Sequence, residues 1–291
     1  MTSAEQDRAE PRQDPQRERE EQQKRLTQRM AAIRHKVAVL SGKGGVGKST
    51  VAANLAVALA GEGFRVGLLD VDVHGPSIPK LLGLEEAQVF SDGQDIVPAA
   101  HGPNLRVMSI AFLMRDVDEA VIWRGPLKMS FLRQVLADVE WGELDFLILD
   151  LPPGTGDEPL SVCQLIPDAA GAIVVTTPQD LSVSDVRRCV TFCRRLKLPV
   201  LGVLENMSGF VCPHCGKEVE IFGEGGGRRM AESMGVPLLG RVPIDPDVVR
   251  VSDGGEPFVE SRPESPATRA FLDAIEPIAR LARQESAEEK T

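Results

Sequence analysis

SGKGGVGKST, at positions 41–50, is the stretch from which the rest of the chain is read. Gly42, Gly47, Lys48 and Ser49 fill the spacing G-x-x-x-x-G-K-[ST]. The stretch follows the apolar run KVAVL (36–40) and precedes a helical pattern over 48–60, so it has the strand–loop–helix setting that this spacing requires. Gly42, Gly44, Gly45 and Gly47 let the backbone turn tightly, and with Lys43 and Val46 they offer consecutive N–H groups to phosphate oxygens. The positive end of the following helix dipole adds to that attraction. In a bound ATP, Lys48 is expected to reach the β and γ phosphates and Thr50 the α phosphate, while the Ser49 hydroxyl ligates Mg²⁺.

Outward from this loop, short apolar runs alternate with helical patterns. The runs are KVAVL (36–40), RVGLLDV (65–71), LRVMSI (105–110), LDFLILD (144–150), AIVVTT (172–177), VLGVLE (200–205) and PLLGRV (237–242). Nearly unbroken apolar character suits parallel strands buried on both faces. Helical patterns lie near 48–60, 127–138, 181–196, 226–234 and 267–283. The alternation predicts an α/β fold, a doubly wound and mostly parallel sheet of the phosphate-loop NTPase type, with ligands at the carboxyl ends of the strands. Taken with the phosphate loop, it leads us to expect one P-loop ATPase domain over 36–284, with no internal repeat and an acidic tail at 285–291.

Residues 1–35 read as a polar leader. Its first thirty residues carry seven basic and seven acidic side chains and no apolar periodicity, which predicts disorder or a solvated helix in the second half. The whole chain has 291 residues, 42% hydrophobic and 26% charged, which is ordinary for a globular protein. No run approaches the ~18 apolar residues of a membrane span, and the N-terminus lacks a signal-peptide pattern. A net charge of -10 gives no invitation to nucleic acid. Five cysteines are odd in number and sparse, which argues against a disulfide framework and for a reducing, cytoplasmic setting.

Three aspartates end apolar runs beside the loop. Asp70 and Asp72 close the second run and Asp150 closes FLILD. Carboxylates so placed hold Mg²⁺ through water or orient an attacking water, although any one alone also suits a turn or a helix cap. Asp150 and Asp70 are expected in the Mg²⁺ shell, and Asp72 is expected to position water.

The cysteines divide into two groups. Cys212 and Cys215 form a C-x-x-C turn within CPHCG (212–216), a spacing that suits zinc, an Fe–S cluster or a redox dithiol. One pair supplies two ligands where such metal sites usually take four, and two copies of the chain across a two-fold axis would complete the count. Cys189 and Cys193 are four apart on one helical face, and Cys163 lies in another apolar segment, so these three are expected in the core.

The order of motifs is more specific than any of them alone. K-G-G-x-G-K-[ST] resembles the deviant Walker A loop of the MinD/ParA/nitrogenase iron protein class. DVDVHGPSIPKLLG (70–83), WRGPL (123–127), DLPPGTGDEPL (150–160), VVTTPQ (174–179), GVLENMSGF (202–210), CPHCG and IFGEGGG (221–227) follow in turn. Together they closely resemble the Mrp/ApbC family of iron–sulfur cluster carrier ATPases, over about 36–258. The resemblance implies that Lys43 reaches across a homodimer to the partner's nucleotide, supporting charge developed in phosphoryl transfer. It implies switch segments after Asp72 and at 152–157, an adenine contact from Asn206, and a weaker base or ribose contact from 243–245. It implies a 4Fe–4S cluster bridging two copies through Cys212 and Cys215, delivered to apo-proteins. His74 stands where family members commonly carry tyrosine. The extra N-terminal domain or four-cysteine site of some relatives is not expected within 1–35, which holds no cysteine.

The expected function is therefore an ATP-hydrolysing Fe–S cluster carrier, with no nucleic-acid or membrane partner. The alternative is a MinD/ParA-type positioning ATPase with a structural zinc, or no metal, at the C-x-x-C turn. The acidic residues of the closing ARQESAEEKT disfavour the basic amphipathic helix expected of a membrane-bound MinD-like protein.

Overall fold

All seven apolar runs lie in one eight-stranded sheet of the computed structural model, which describes residues 15–91, 95–113, 125–166, 168–212 and 214–288. The first fourteen residues of the leader, Trp123 and Arg124 of the WRGPL stretch, Pro213 and the last three residues of the tail lie outside the described residues. The first half runs α1 (Pro15–Ala31), β1 (Ile33–Ser41), α2 (Lys48–Gly61), β2 (Val66–Asp70), α3 (Ile78–Leu81), β3 (Phe90–Ser91), β4 (Ile96–Val97), β5 (Ala99–His101) and β6 (Leu105–Ser109). Next come α4 (Gly125–Asp138), β7 (Leu144–Asp150), α5 (Asp157–Leu165), β8 (Gly171–Thr176), α6 (Asp180–Arg195) and β9 (Val200–Glu205). The remainder is β10 (Phe210–Val211), β11 (Glu218–Val219), α7 (Gly226–Met234), β12 (Leu238–Arg241), α8 (Pro246–Asp253), α9 (Phe258–Ser261) and α10 (Pro266–Glu288).

The strand order is β12-β9-β8-β1-β7-β2-β6-β5, parallel throughout except for the antiparallel edge strand β5. From β1 the chain steps to β2 on one side, and from β7 it crosses to β8 on the other, so the carboxyl end of β1 lies at the switch point. Register sets Asp70 opposite Asp150 and Thr176 opposite Glu205, so several polar side chains emerge at one edge of an apolar sheet. One sheet face packs against α2 and α10, the other against α1, α4, α5 and α6. Helix α2 is apolar nearly all round because it lies beneath both the sheet and the C-terminal helices.

The folded body extends further towards the N-terminus than Lys36. Strand β1 starts at Ile33, and helix α1 is docked along one side instead of being solvated all round. Leu26 and Met30, four apart, are buried in the same apolar cluster as Leu132, Val135 and Leu136 of α4. Arg25 pairs with Asp138 at 3.2 Å and Arg29 with Asp95 at 2.5 Å. Lys36 Nζ donates to the carbonyls of Met30 and Ile33 at 3.1 and 3.2 Å, closing the carboxyl end of α1. Among the described residues no helix is long and apolar enough to cross a membrane.

Candidate functional site

The turn between β1 and α2 is shaped by glycine. Gly45 and Gly47 adopt φ of 77° and 83°, a region costly for any residue with a Cβ. At Gly47 a Cβ would also overlap the side-chain amide of Asn206. Lys48 opens α2 and is only 7% exposed. Its Nζ donates to Asp150 Oδ1 at 2.7 Å and to Ser49 Oγ at 3.2 Å, and lies 3.7 Å from Asp72 Oδ2.

The three predicted aspartates are together, but they face different ways. Asp150 is fully buried, and burial pushes its carboxyl up against the opposing pull of Lys48. Its second oxygen has no hydrogen-bond partner. Buried acceptors are nearly always partnered, so an orphaned carboxylate oxygen near the Ser49 hydroxyl is a donor set that fits a hard cation such as Mg²⁺. Asp70 is turned into the protein instead. Its Oδ1 accepts from Asp72 N at 3.1 Å, and its Oδ2 from Ile78 N at 3.3 Å and Ser109 Oγ at 3.0 Å. Burial, and then the nearby Asp150, push its carboxyl up to about 7. Asp72 accepts from His74 N through Oδ1 at 3.3 Å, which leaves Oδ2 towards Lys48.

The segment after Asp72 meets the first turn of α5, just past the 152–157 segment, through His74. Its Nε2 lies 3.2 Å from Oε1 of Glu158, in the first turn of α5. Gly154 N donates to Ser41 O at 2.7 Å, holding the second segment against the end of β1. Lys43 Nζ donates to Gln179 Oε1 of its own chain at 3.3 Å. Asn206 follows β9, its N donates to Thr176 O at 2.7 Å, and its Nδ2 donates to Val46 O at 2.9 Å. Beside it is a cavity of about 310 Å³ whose lining includes Gly47, Thr50, Asn206, Phe222, Pro243 and Asp245. The loop, Asn206 and the 243–245 stretch thus enclose one space.

Cys212 and Cys215 sit at the tip of the β10–β11 hairpin. Cys212 N donates to Lys217 O and Gly216 N donates to Cys212 O, both at 2.9 Å, and Gly216 takes φ of 67°. Cys215 is exposed and Cys212 partly so. Backbone N–H groups of Cys215 and His214 draw the Cys212 thiol below its ordinary value, which favours the thiolate that ligates metal. Among the described residues no third His, Cys, Asp or Glu joins them in a group able to hold a metal. Cys189 and Cys193 are fully buried, and burial pushes both thiols up to about 12; Cys163, partly buried, rises to about 11.

A further strand-end acid, Glu205, lies beside Asn206 and is not among the aspartates expected at the site. It is fully buried, with Oε1 accepting from Ser208 Oγ at 2.5 Å and Arg241 Nε at 3.2 Å, and Oε2 from Gly227 N at 2.6 Å. An acid ending the run VLGVLE is the same signal that marked Asp70 and Asp150. Asn54, in the middle of α2, accepts from Val259 N at 3.2 Å through its Oδ1 and ties α9 to α2.

Residues 32–279 match the family model of the NUBPL iron-transfer P-loop NTPases, within the ParA group. The chain belongs to the NUBPL iron-transfer P-loop NTPase family. This NTPase is 48% identical over 257 residues to the iron–sulfur cluster carrier protein of Saccharolobus solfataricus, covering 88% of this chain and 87% of that one. It is 50% identical over 239 residues to the iron–sulfur cluster carrier protein of Methanocaldococcus jannaschii, covering 82% of each. Among solved structures, the nucleotide-binding protein of Archaeoglobus fulgidus in complex with ADP superposes with a TM-score of 0.74 at 40% identity, covering 86% of this chain and 96% of that one. The α/β NTPase fold and the cluster-carrier family expected from the motif order both stand, and the positioning-ATPase alternative is not favoured.

Proposed function

We propose that this iron-transfer NTPase binds and hydrolyses ATP at the 42–50 loop and uses it to load or release an Fe–S cluster held between two copies of the chain. The observation that carries the reading is the pairing of two features in one molecule. A buried lysine flanked by Asp150 and Asp72 lies at the end of a phosphate loop, and an exposed two-thiol turn lies on a hairpin that begins four residues after Asn206.

Lys48 exchanges its carboxylate partners for phosphate oxygens, and the loop N–H groups cradle the phosphates. Ser49 and Asp150 would hold Mg²⁺, which supplies charge neutralisation at the phosphates. Asp72 orients the attacking water. Asp70, whose oxygens are spent on Asp72 N, Ile78 N and Ser109 Oγ, keeps the 71–78 loop in place and supports the metal only indirectly. Lys43 leaves Gln179 to reach the partner's nucleotide in the dimer. Asn206 and Asp245 face the base side of the 310 Å³ cavity. Cys212 and Cys215 from each copy supply four thiolates to a 4Fe–4S cargo, which passes to apo-proteins in the reducing cytoplasm.

Turnover of Mg-ATP by the full chain tests the first half, and reactivation of an apo 4Fe–4S enzyme by cluster-loaded protein tests the second. Lys48→Ala is expected to lower turnover by about 10²-fold or more and to remove any effect of ATP on the transfer rate. Unchanged turnover in Lys48→Ala would overturn the assignment of the loop.

A further inference from the structure

The stretch IFGEGGG (221–227) has no part in the chemistry above, yet its position is distinctive. Phe222 is a large apolar side chain left 37% exposed. It lies seven residues beyond Cys215 on the returning limb of the hairpin, and it lines the same cavity as Gly47, Thr50 and Asn206. Phe258 and Phe271 also line that cavity, but both are buried in the core. Phe222 is the ring that comes from the cysteine arm.

Both limbs of this arm are rooted on one carboxylate. Glu205 accepts from Ser208 at the start of the arm and from Gly227 N at its end, at 2.5 and 2.6 Å. Arg241 spans from Glu205 to Glu224 of the arm, at 3.2 and 2.8 Å. Next to Glu205, Asn206 holds the Val46 carbonyl of the phosphate loop. Gly223 and Gly225, with φ of 80° and 68°, turn the chain between Phe222 and the root. Glycines at such positions let a limb pivot at little cost.

We infer that Phe222 is a nucleotide-contacting residue carried on the cysteine arm. Its ring packs on the base of the bound nucleotide, so occupancy of the cavity and the position of Cys212 and Cys215 are linked. The inference rests on the carrier reading above and supplies the physical link that reading needs. An exposed π-face offers stacking that the aliphatic and carboxylate walls and the core-buried rings of Phe258 and Phe271 do not. A base seated against Phe222 restrains the limb, and restraint of the limb by a cluster strengthens nucleotide binding by the same factor.

The test uses the full chain without cluster. Affinity is measured for a non-hydrolysable ATP analogue and for inorganic tripolyphosphate, and the alkylation rates of Cys212 and Cys215 by iodoacetamide are followed by peptide mass spectrometry. Phe222→Ala is expected to weaken the analogue about 5- to 10-fold while leaving tripolyphosphate unchanged. Saturating analogue is expected to slow alkylation of both cysteines in the wild type and not in Phe222→Ala, with Phe222→Tyr behaving as wild type. Wild-type affinity in Phe222→Ala, or undiminished slowing in that variant at saturation, overturns the inference and leaves the carrier reading standing. A wild type that does not bind the analogue overturns the carrier reading and the inference with it.

Discussion

Lys48, which we propose meets the β and γ phosphates, also sits in a buried ion pair. Its Nζ lies 2.7 Å from the fully buried carboxylate of Asp150. Removing one member of a buried ion pair leaves the other charge without compensation, at a cost of about 3–5 kcal/mol. Lys48→Ala is therefore expected to be destabilised by that order in urea denaturation. Lys48→Ala/Asp150→Asn is expected to regain most of the loss while staying inactive. A Lys48→Ala chain as stable as wild type would show that the pair does not hold in solution. At this scale the sequence identified which residues gather, because each ends an apolar run beside the glycine loop. It does not show that Asp70, expected beside Asp150 in the Mg²⁺ shell, turns into the protein while Asp72 faces Lys48. That distinction depends on Ser109 of β6, which reaches Asp70 only once the two strands pair in register. Glu205 carried the legible strand-end signal, yet its partners Gly227 and Arg241 come from elements more than twenty residues away.

Elements that bury both faces were readable; elements that bury a few side chains were not. Strands β1, β2, β6, β7, β8 and β9 advertise themselves by nearly unbroken apolar runs, as does the half-buried edge strand β12, and α2 by its alanine-rich, capless continuation of the loop. The β10–β11 hairpin has two residues per strand, three of the four facing solvent, so it leaves no periodic trace. Helix α1 is the instructive case. Its composition is that of a solvated leader, and its docking depends on Leu26 and Met30 with Arg25 and Arg29 alongside. Met30 is wholly buried. Met30→Ala is expected to lower the stability of the whole chain by about 2–5 kcal/mol, read from the midpoint of urea unfolding. A loss typical of a surface change, within about 0.5 kcal/mol, would mean that α1 is not part of the folded body.

For the molecule as a whole, the sheet gathers the loop, the aspartates and Asn206 at one edge, and the cysteine hairpin grows from that same edge. The proposed larger assembly rests on the cysteine arithmetic. Three of the five thiols are spent on packing, with Cys189 and Cys193 fully buried, and the remaining two stand on an exposed tip. Two thiolates are half a cluster's usual ligand set, so the site as proposed is completed by a second copy. Around the tip, Val211, Val219 and Ile221 are about half exposed, which gives the hairpin an apolar surface beside its thiols. The most direct measurement is anaerobic reconstitution with iron and sulfide, followed by metal analysis and native mass spectrometry of wild type and Cys212→Ala/Cys215→Ala. The account predicts about four iron atoms per two wild-type chains, in a dimer, and none held by the variant. A variant that retains as much iron as wild type, or a loaded wild type that remains monomeric, would contradict it.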